Sequence, residues 1–257
     1  MEEEEAKKKH FVLVHGVCHG AWCWYRVITL LESGGHRVTA LDLSACGIDS
    51  RSLDDVSTFA EYSRPLMDFM SSLSEGEKII LVGHSFGGVS VSLAMESFPE
   101  KIKAAVFLAA FMPHPDFPPS HVIQEHSKSG EGWLLDSQLD SKTGTMLFGP
   151  KCQSSNLYQC TPLEDRTLAR MLIRTGNFFV EDLSNMDPFS KDKFGCVKRF
   201  FIICKEDKAI NEQFQRWMIG NNPVDGVKEI DGADHMGMLS KPLQLYKCLL
   251  EISQDTV

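Results

Sequence analysis

Short apolar segments of strand length alternate with stretches of helical periodicity along most of this chain. The apolar runs lie at residues 11–14, 38–42, 78–82, 104–108, 199–204 and 227–230, and the helical stretches at 22–33, 59–73, 89–98, 212–219 and 242–253. Continuous apolar runs bounded by turns are typical of strands buried on both faces, and strands that alternate with helices pair in parallel. The sequence therefore predicts an α/β protein with a mostly parallel sheet and helices on both faces.

This alternation is interrupted once, beginning at residue 112. Four prolines (Pro113, Pro115, Pro118 and Pro119) crowd the next few positions, and the sequence up to residue 191 contains helical stretches but no apolar run of the same type. Prolines end helices and cannot donate hydrogen bonds within a sheet. We therefore expect a core formed by residues 1–111 and 192–257, with a mainly helical cap inserted at residues 112–191.

The net charge of the chain disfavours two classes of binding partner, nucleic acids and anionic membranes. Its 257 residues carry 26 Lys and Arg against 35 Asp and Glu, a formal net charge of −9. A negative surface repels the phosphates of nucleic acids and of anionic membranes. Residues 1–10 are mostly Glu and Lys, where a signal peptide would be apolar. We therefore expect a cytoplasmic protein that binds neither nucleic acids nor membranes.

The cysteines are consistent with the same compartment. All 8 are scattered, with neither a C-x-x-C motif nor the spacing to histidine that zinc sites use. The sequence thus predicts no metal site. Reduced thiols are expected in the cytoplasm, and a disulfide framework is the alternative.

The motif Gly83-His84-Ser85-Phe86-Gly87 lies directly between a predicted strand and a predicted helix. G-x-S-x-G alone is a weak signal, but a strand–turn–helix context is where it exposes a nucleophilic serine at the carboxyl edge of a sheet. A helix N-cap serine is the alternative, although capping does not require the two flanking glycines. The context favours Ser85 as a nucleophile.

A serine nucleophile needs a base, and in this type of site the order along the chain is serine, acid, histidine. Of the 9 histidines, only His235 follows a late predicted strand and precedes the last helix. The acid should follow the preceding strand, where Asp207 is our preferred candidate and Glu206 is its rival on the same turn. Asp234, next to His235 in sequence, is a third candidate.

Acyl transfer through a serine also requires hydrogen-bond donors for the negatively charged oxygen of the tetrahedral intermediate. In a strand–serine–helix site these donors are backbone N–H groups of the residue after the serine and of the loop after an early strand. Phe86 and Val17, which follows His15-Gly16, occupy these two positions.

Apolar cap residues and the loops beside the motifs are candidates for substrate contact. A cap above a sheet edge needs an apolar underside that would also hold an apolar substrate, while packing within the cap explains the same residues equally well. The residues that we predict to contact substrate are Gly16, His19, His84, Phe111, Trp133, Leu147, Phe148 and Met236.

Several motifs together resemble one plant family of α/β-hydrolases, the methylesterases and hydroxynitrile lyases, particularly its polyneuridine aldehyde esterases and salicylate methylesterases. These motifs are residues 10–16 (HFVLVHG), 19–22 (HGAW), 83–88 (GHSFGG), 214–217 (FQRW) and 233–239 (ADHMGML). The resemblance implies an α/β-hydrolase fold, a triad of Ser85, Asp207 and His235, and oxyanion donors at Val17 and Phe86. It also implies that no cofactor is needed.

Three positions separate the two branches of that family. Its lyases have Lys after the catalytic histidine, Thr after the first motif histidine and Glu before the serine, whereas this chain has Met236, Gly16 and His84. Departing cyanide needs a cation, so these residues favour the esterases.

The sequence therefore predicts a carboxylesterase for methyl esters of small apolar plant metabolites of hormone or alkaloid type. A β-carbonyl acid product could then lose CO2 without a further catalytic residue. A hydroxynitrile lyase and a non-catalytic ligand-binding protein are the alternatives. A small-molecule ester is the expected partner, and a homodimer is compatible with the sequence.

Overall fold

A six-stranded parallel β-sheet forms the centre of the protein. The computed structural model describes residues 8–128, 130, 132, 134–140 and 142–255. The strands among these residues are β1 (His10–Val14), β2 (Arg37–Leu41), β3 (Ile79–His84), β4 (Ile102–Leu108), β5 (Gln138–Leu139), β6 (Thr145–Leu147), β7 (Gly176–Asn177), β8 (Arg199–Cys204) and β9 (Gly226–Ile230). The central sheet has the order β2-β1-β3-β4-β8-β9, and all of its neighbouring strands are parallel. The predicted α/β fold with a mostly parallel sheet is confirmed.

Helices connect these strands. The α-helices of the described residues are α1 (Tyr25–Ser33), α2 (Phe59–Ser72), α3 (Gly87–Ser97), α4 (His121–Ser127), α5 (Pro150–Cys152), α6 (Leu163–Leu172), α7 (Val180–Ser184), α8 (Glu212–Asn221), α9 (Gly237–Ser240) and α10 (Pro242–Asp255). A π-helical turn, Gln153–Leu157, continues α5. No helix in the described part of the chain has the length and hydropathy needed to span a membrane.

The burial of the central strands explains why their sequences are continuously apolar. All five residues of β1 and all six of β3 are buried. Successive side chains of a strand point to opposite faces, so burial of every residue means that both faces of the sheet are covered. Helix α1 packs against α10, and α2 packs against α3.

The segment between β4 and β8 contains a small sheet that the sequence analysis did not predict. Strands β5, β6 and β7 pair antiparallel in that order, among the helices α4 to α7. Two of these strands have only two residues and the third has three, which is too short to show the alternation that identifies a strand. We refer to this segment, residues 112–191, as the cap; its division from the core at these residues stays a prediction.

A buried carboxylate attaches the cap to the core. Asp165 on α6 is 2% exposed, and it accepts hydrogen bonds from the Tyr25 hydroxyl (2.6 Å) and from Arg26 Nε (2.9 Å) on α1. A second Arg26 nitrogen lies 2.9 Å from the same carboxylate. Glu164, the neighbouring acid, lies 3.8 Å from Arg26, and its side chain is 73% exposed.

We expect Asp165→Ala to lower the free energy of unfolding by about 2–3 kcal/mol, because hydrogen bonds to a charged group contribute about 1.5–3 kcal/mol and Arg26 stays partly solvated. Urea denaturation measures the change. Glu164→Ala is the matched control on the same helix, and we expect it to stay within about 0.5 kcal/mol of the parent. Equal losses in the two variants would show that Asp165 is not the anchor.

Candidate active site

Ser85 occupies a strained turn between β3 and α3. Its φ is 53°, in the left-handed region, which costs an ordinary residue about 1–2 kcal/mol. The Ser85 carbonyl accepts the Phe111 N–H at 3.0 Å, which helps to hold this turn. A Cβ at Gly83 would lie 2.7 Å from Val91 Cγ2, and one at Gly87 would lie 2.4 Å from the His15 carbonyl oxygen. Both flanking positions therefore require glycine, and the serine side chain is left at the carboxyl edge of the sheet.

An imidazole–carboxylate pair lies at the same edge. His235 follows β9 and Asp207 follows β8, and His235 Nδ1 donates to Asp207 Oδ2 at 2.7 Å. The other carboxylate oxygen, Oδ1, accepts the N–H groups of Ala209 (2.8 Å) and Ile210 (2.9 Å). Asp207 is thus held in one orientation, and His235 carries its proton on Nδ1, which leaves Nε2 as a base.

The two rival acids point elsewhere. Asp234 accepts hydrogen bonds from Cys160 N (2.8 Å), Thr161 Oγ1 (2.9 Å) and Met236 N (3.0 Å). Burial raises the pKa of its carboxyl group. Glu206 is exposed. The geometry therefore favours Asp207 among the three candidates.

His84 supports the loop that carries His235. Its Nε2–H donates to the His235 carbonyl at 2.8 Å, and the two ring centroids are 4.7 Å apart. Burial, followed by the proximity of His235, holds the pKa of His84 well below its usual value, so the ring is neutral. Its Nδ1 is buried and has no hydrogen-bond partner among the described residues.

The loop of residues 16–19, hereafter the 16–19 loop, lies beside Ser85 and contains the Val17 N–H that is predicted to be an oxyanion donor. The Gly16 carbonyl accepts hydrogen bonds from His15 Nδ1 (2.7 Å) and from His19 N (3.3 Å). Because a trans peptide directs its carbonyl and its N–H to opposite sides, the Val17 N–H points away from these donors. Among the described residues nothing accepts it. Phe86 immediately precedes α3, so its N–H lies at the start of a helix.

The residues predicted to contact substrate have different surroundings. His19 is buried with both ring nitrogens hydrogen-bonded, and Phe148 lies against its ring at 6.1 Å between centroids. Met236 is buried. Leu147 is half-buried on β6, and Trp133 lies outside the described residues.

Beside Phe111 is an apolar cavity of about 160 Å³. Its apolar lining residues are Phe111, Ile123, Leu134, Leu139, Met146, Phe178 and Val180. Phe178 packs edge-on against Phe86 at 5.2 Å between centroids, and the Phe111 N–H bonds to Ser85, so the cavity adjoins the serine turn. Met146 lines this cavity and its neighbour Leu147 does not, because adjacent strand residues point to opposite sides.

Two cap residues beside the 16–19 loop were absent from the sequence-based site prediction. Tyr158 donates a hydrogen bond to His19 across 139 positions of sequence. A Cβ at Gly176 would lie 2.6 Å from Val17 Cγ2. Neither residue is part of a motif, so the local sequence pattern could not identify them. A comparison of family sequences is the signal that could have done so.

A parallel sheet in which a left-handed serine follows the third strand, with an acid and a histidine after two later strands, defines the α/β-hydrolase class. The model of the Alpha/beta hydrolase family matches residues 11–247. The crystal structure of polyneuridine aldehyde esterase superposes with a TM-score of 0.94 at 47% identity, covering 96% of this chain and 100% of that one.

Curated relatives match over nearly the full length. Methyl jasmonate esterase 1 of Vitis vinifera is 50% identical, covering 98% of this chain and 99% of the relative. Alpha-hydroxynitrile lyase of Arabidopsis thaliana is also 50% identical, covering 97% of this chain and 98% of the relative. The chain belongs to the plant methylesterase and hydroxynitrile lyase family of α/β-hydrolases, which confirms the resemblance found in its motifs.

Gly16 provides a test of this geometry, because a Cβ there would lie 2.7 Å from Ser85 Cβ and 3.2 Å from both Ser85 Oγ and His84 Nδ1. We expect Gly16→Ala to lower kcat/KM for an aryl acetate about a hundredfold, since a shift of about 1 Å in a reacting group has this effect.

The control is Gly220→Ala. A Cβ at Gly220 would meet no atom within 4 Å, so activity should be unchanged. Full activity in Gly16→Ala would show that the reacting groups do not lie beside this glycine.

Proposed function

We propose that the protein is a serine carboxylesterase that hydrolyses methyl esters of small apolar plant metabolites of hormone or alkaloid type. The observation that carries the proposal is the 2.7 Å bond between His235 Nδ1 and Asp207 Oδ2 at the sheet edge that also presents Ser85. No cofactor takes part in the proposed reaction.

In the first half-reaction, Asp207 fixes the His235 tautomer and stabilises the imidazolium that forms. His235 Nε2 removes the Ser85 proton while Oγ attacks the ester carbonyl carbon. The Val17 and Phe86 N–H groups donate to the oxyanion of the tetrahedral intermediate, and each donor contributes about 2.7–4 kcal/mol. Collapse of the intermediate breaks the bond to methoxide, which takes the proton from His235 and leaves as methanol.

In the second half-reaction, His235 removes a proton from water, and the hydroxide attacks the acyl-serine carbonyl. Collapse releases the carboxylic acid, and Ser85 regains its proton. The described residues provide no hydrogen-bond partner for Ser85 Oγ, and catalytic hydrogen bonds of this kind commonly form only in the substrate complex.

The apolar cavity supports the proposed substrate class. Its lining is mainly aliphatic and aromatic, with only a few polar residues such as His126, whose Nε2–H donates to the Ala209 carbonyl. Such a site favours a compact apolar acyl group over a charged one. If the acyl group carries a carbonyl β to the ester, the freed acid can lose CO2 and take up a proton on the carbon left behind.

Cyanohydrin cleavage is the second candidate, because a lyase is among the relatives with 50% identity. Departing cyanide needs a nearby cation. The position after the histidine is the buried, uncharged Met236, so this observation favours the esterase.

A ligand-binding protein without turnover is disfavoured because the imidazole–carboxylate pair is intact. We also propose cytoplasmic localisation, in keeping with the free thiols of the chain's cysteines.

A substrate panel tests the function. Ester cleavage should be detected with an aryl acetate and with several apolar methyl esters, and Ser85→Ala should reduce kcat by at least about a thousandfold because the nucleophile is lost. An aromatic cyanohydrin should release no cyanide. Cyanide release without ester cleavage would establish the lyase, and tight ligand retention without turnover would establish a binding protein.

The pH dependence tests the base. Protonated His235 cannot accept the Ser85 proton, so kcat/KM should fall on acidification, reaching a limiting slope of one decade per pH unit. Burial lowers the pKa of His19 to about 3 and that of His84 well below its usual value. These two rings therefore stay neutral over about pH 5–8, and they do not contribute to the pH dependence of kcat/KM in this range. A flat profile over this range would contradict the assignment of His235 as base.

A further inference from the structure

His19 connects the cap to the 16–19 loop through both of its ring nitrogens. Nδ1 lies 2.8 Å from the Val17 carbonyl oxygen, and Nε2 is hydrogen-bonded to the Tyr158 hydroxyl of the cap. His19 is 2% exposed, and its ring centroid lies 5.5 Å from that of Trp22 and 5.9 Å from that of Tyr158. Water therefore has little access to either hydrogen bond.

The chemistry of the partners fixes the direction of both bonds. A carbonyl oxygen can only accept, so His19 Nδ1 carries the proton. Burial lowers the pKa of His19 to about 3, so the ring is neutral and Nε2 must accept. The Tyr158 hydroxyl is then the donor, and burial, which raises the pKa of Tyr158 well above its usual value, keeps it protonated. A donor at Nε2 polarises the imidazole and strengthens the Nδ1–H bond to Val17.

This chain of hydrogen bonds ends on Val17, whose N–H is the proposed oxyanion donor. His15 holds the peptide that contains the Val17 N–H, and His19 holds the next peptide, which contains the Val17 carbonyl. The φ and ψ rotations of Val17 connect these two peptide planes, so fixing both planes fixes the backbone conformation of Val17. The following residue, Cys18, has a φ of 66°, a left-handed conformation that persists only when its surroundings hold it.

Other cap residues contact the same loop. The Arg174 N–H donates to the Cys18 carbonyl at 3.0 Å, and Cys18 Sγ lies 3.3 Å from the Met146 carbonyl oxygen. A Cβ at Gly176 would lie 2.6 Å from Val17 Cγ2. The loop is therefore packed against the cap.

We propose that Tyr158 is a positioning residue for the oxyanion site: through His19, its hydroxyl orients the Val17 N–H toward the oxygen that becomes negatively charged. This inference rests on the proposed esterase function and extends it, because it makes a cap residue part of the machinery that stabilises the intermediate. It predicts an effect on the chemical step and not on substrate binding.

Tyr158→Phe removes one oxygen atom and keeps the aromatic ring. We expect kcat for a methyl ester to fall about tenfold to a hundredfold, less than the 10²–10³ lost when an oxyanion donor is deleted outright, with KM changed less than twofold.

A trifluoromethyl ketone provides a second measurement, because Ser85 Oγ adds to its carbonyl carbon, the Ser85 proton passes to His235 and the ketone oxygen becomes an oxyanion. Its affinity should fall by the same factor as kcat/KM, while the affinity for the product acid stays constant.

His19→Asn tests the connection between the two residues. The Asn amide nitrogen takes about the place of Nδ1 and can still donate to Val17, but the side chain does not reach Tyr158. In this background, Tyr158→Phe should cause no further loss of kcat, whereas independent effects would add. Additive losses would overturn the proposal, and so would a rise in KM at constant kcat. Tyr246→Phe on α10 is the control for loss of a tyrosine hydroxyl and should leave kcat unchanged.

The experiment separates this inference from the proposed function. If Ser85→Ala retains full ester hydrolysis, the proposed function is wrong. If Ser85→Ala is inactive and Tyr158→Phe has the parent kcat, only the inference about Tyr158 is wrong. Melting temperatures show whether Tyr158→Phe and His19→Asn fold. If only one of the two variants folds, the affinity of that variant for the trifluoromethyl ketone still tests the proposal.

Discussion

The close approach of α3 to the end of β1 is the constraint on which the rest of the site depends. Gly87 begins α3 so near the His15 carbonyl that a Cβ would lie 2.4 Å from its oxygen. This approach brings the left-handed Ser85 directly beside the 16–19 loop. The backbone of Ser85, the proposed nucleophile, and the Val17 and Phe86 N–H groups, the proposed oxyanion donors, are therefore placed by backbone packing.

Buried, neutral histidines hold this backbone arrangement in place. His15, His19 and His84 each donate one ring N–H to a backbone carbonyl of the 16–19 loop or of the loop that carries His235. Burial lowers the pKa of all three. His235 differs from them because its N–H bonds to the carboxylate of Asp207, which stabilises a positive charge on the ring. Of these four imidazoles, His235 is the one suited to accept a proton during a reaction.

The sequence was sufficient to predict the sheet and the positions of the polar residues at its carboxyl edge. Strands β1, β3 and β8 are buried on both faces, so their continuous apolar runs identify them, and parallel pairing brings the residues after them to one edge. The contact of Asp207 with His235 follows from the same topology. Asp234 was a rival only because it is adjacent in sequence, and adjacency does not determine where a side chain points.

The cap could not be predicted to the same depth, for a physical reason. Its strands are too short to show periodicity, and its important contacts join residues far apart in the chain, such as Tyr158 with His19 and Cys160 with Asp234. Hydrogen bonds of this kind leave no local pattern. His19 lies against the Phe148 ring and is hydrogen-bonded to Tyr158, and its contact with substrate stays a prediction.

These cap contacts fall into two groups with different consequences. Asp165 joins α6 to the first residues of α1 and stabilises the attachment of the cap. The segment of residues 158–161, by contrast, bonds to His19 and to Asp234. It therefore contacts both the 16–19 loop, which contains the proposed donor Val17, and the loop that carries His235. The cavity-lining side chains of Ile123 and Val180 belong to neither group. A substitution at those two positions can change the shape of the cavity and leave these hydrogen bonds intact, so under the proposed function acyl-group preference and the chemical step are separable.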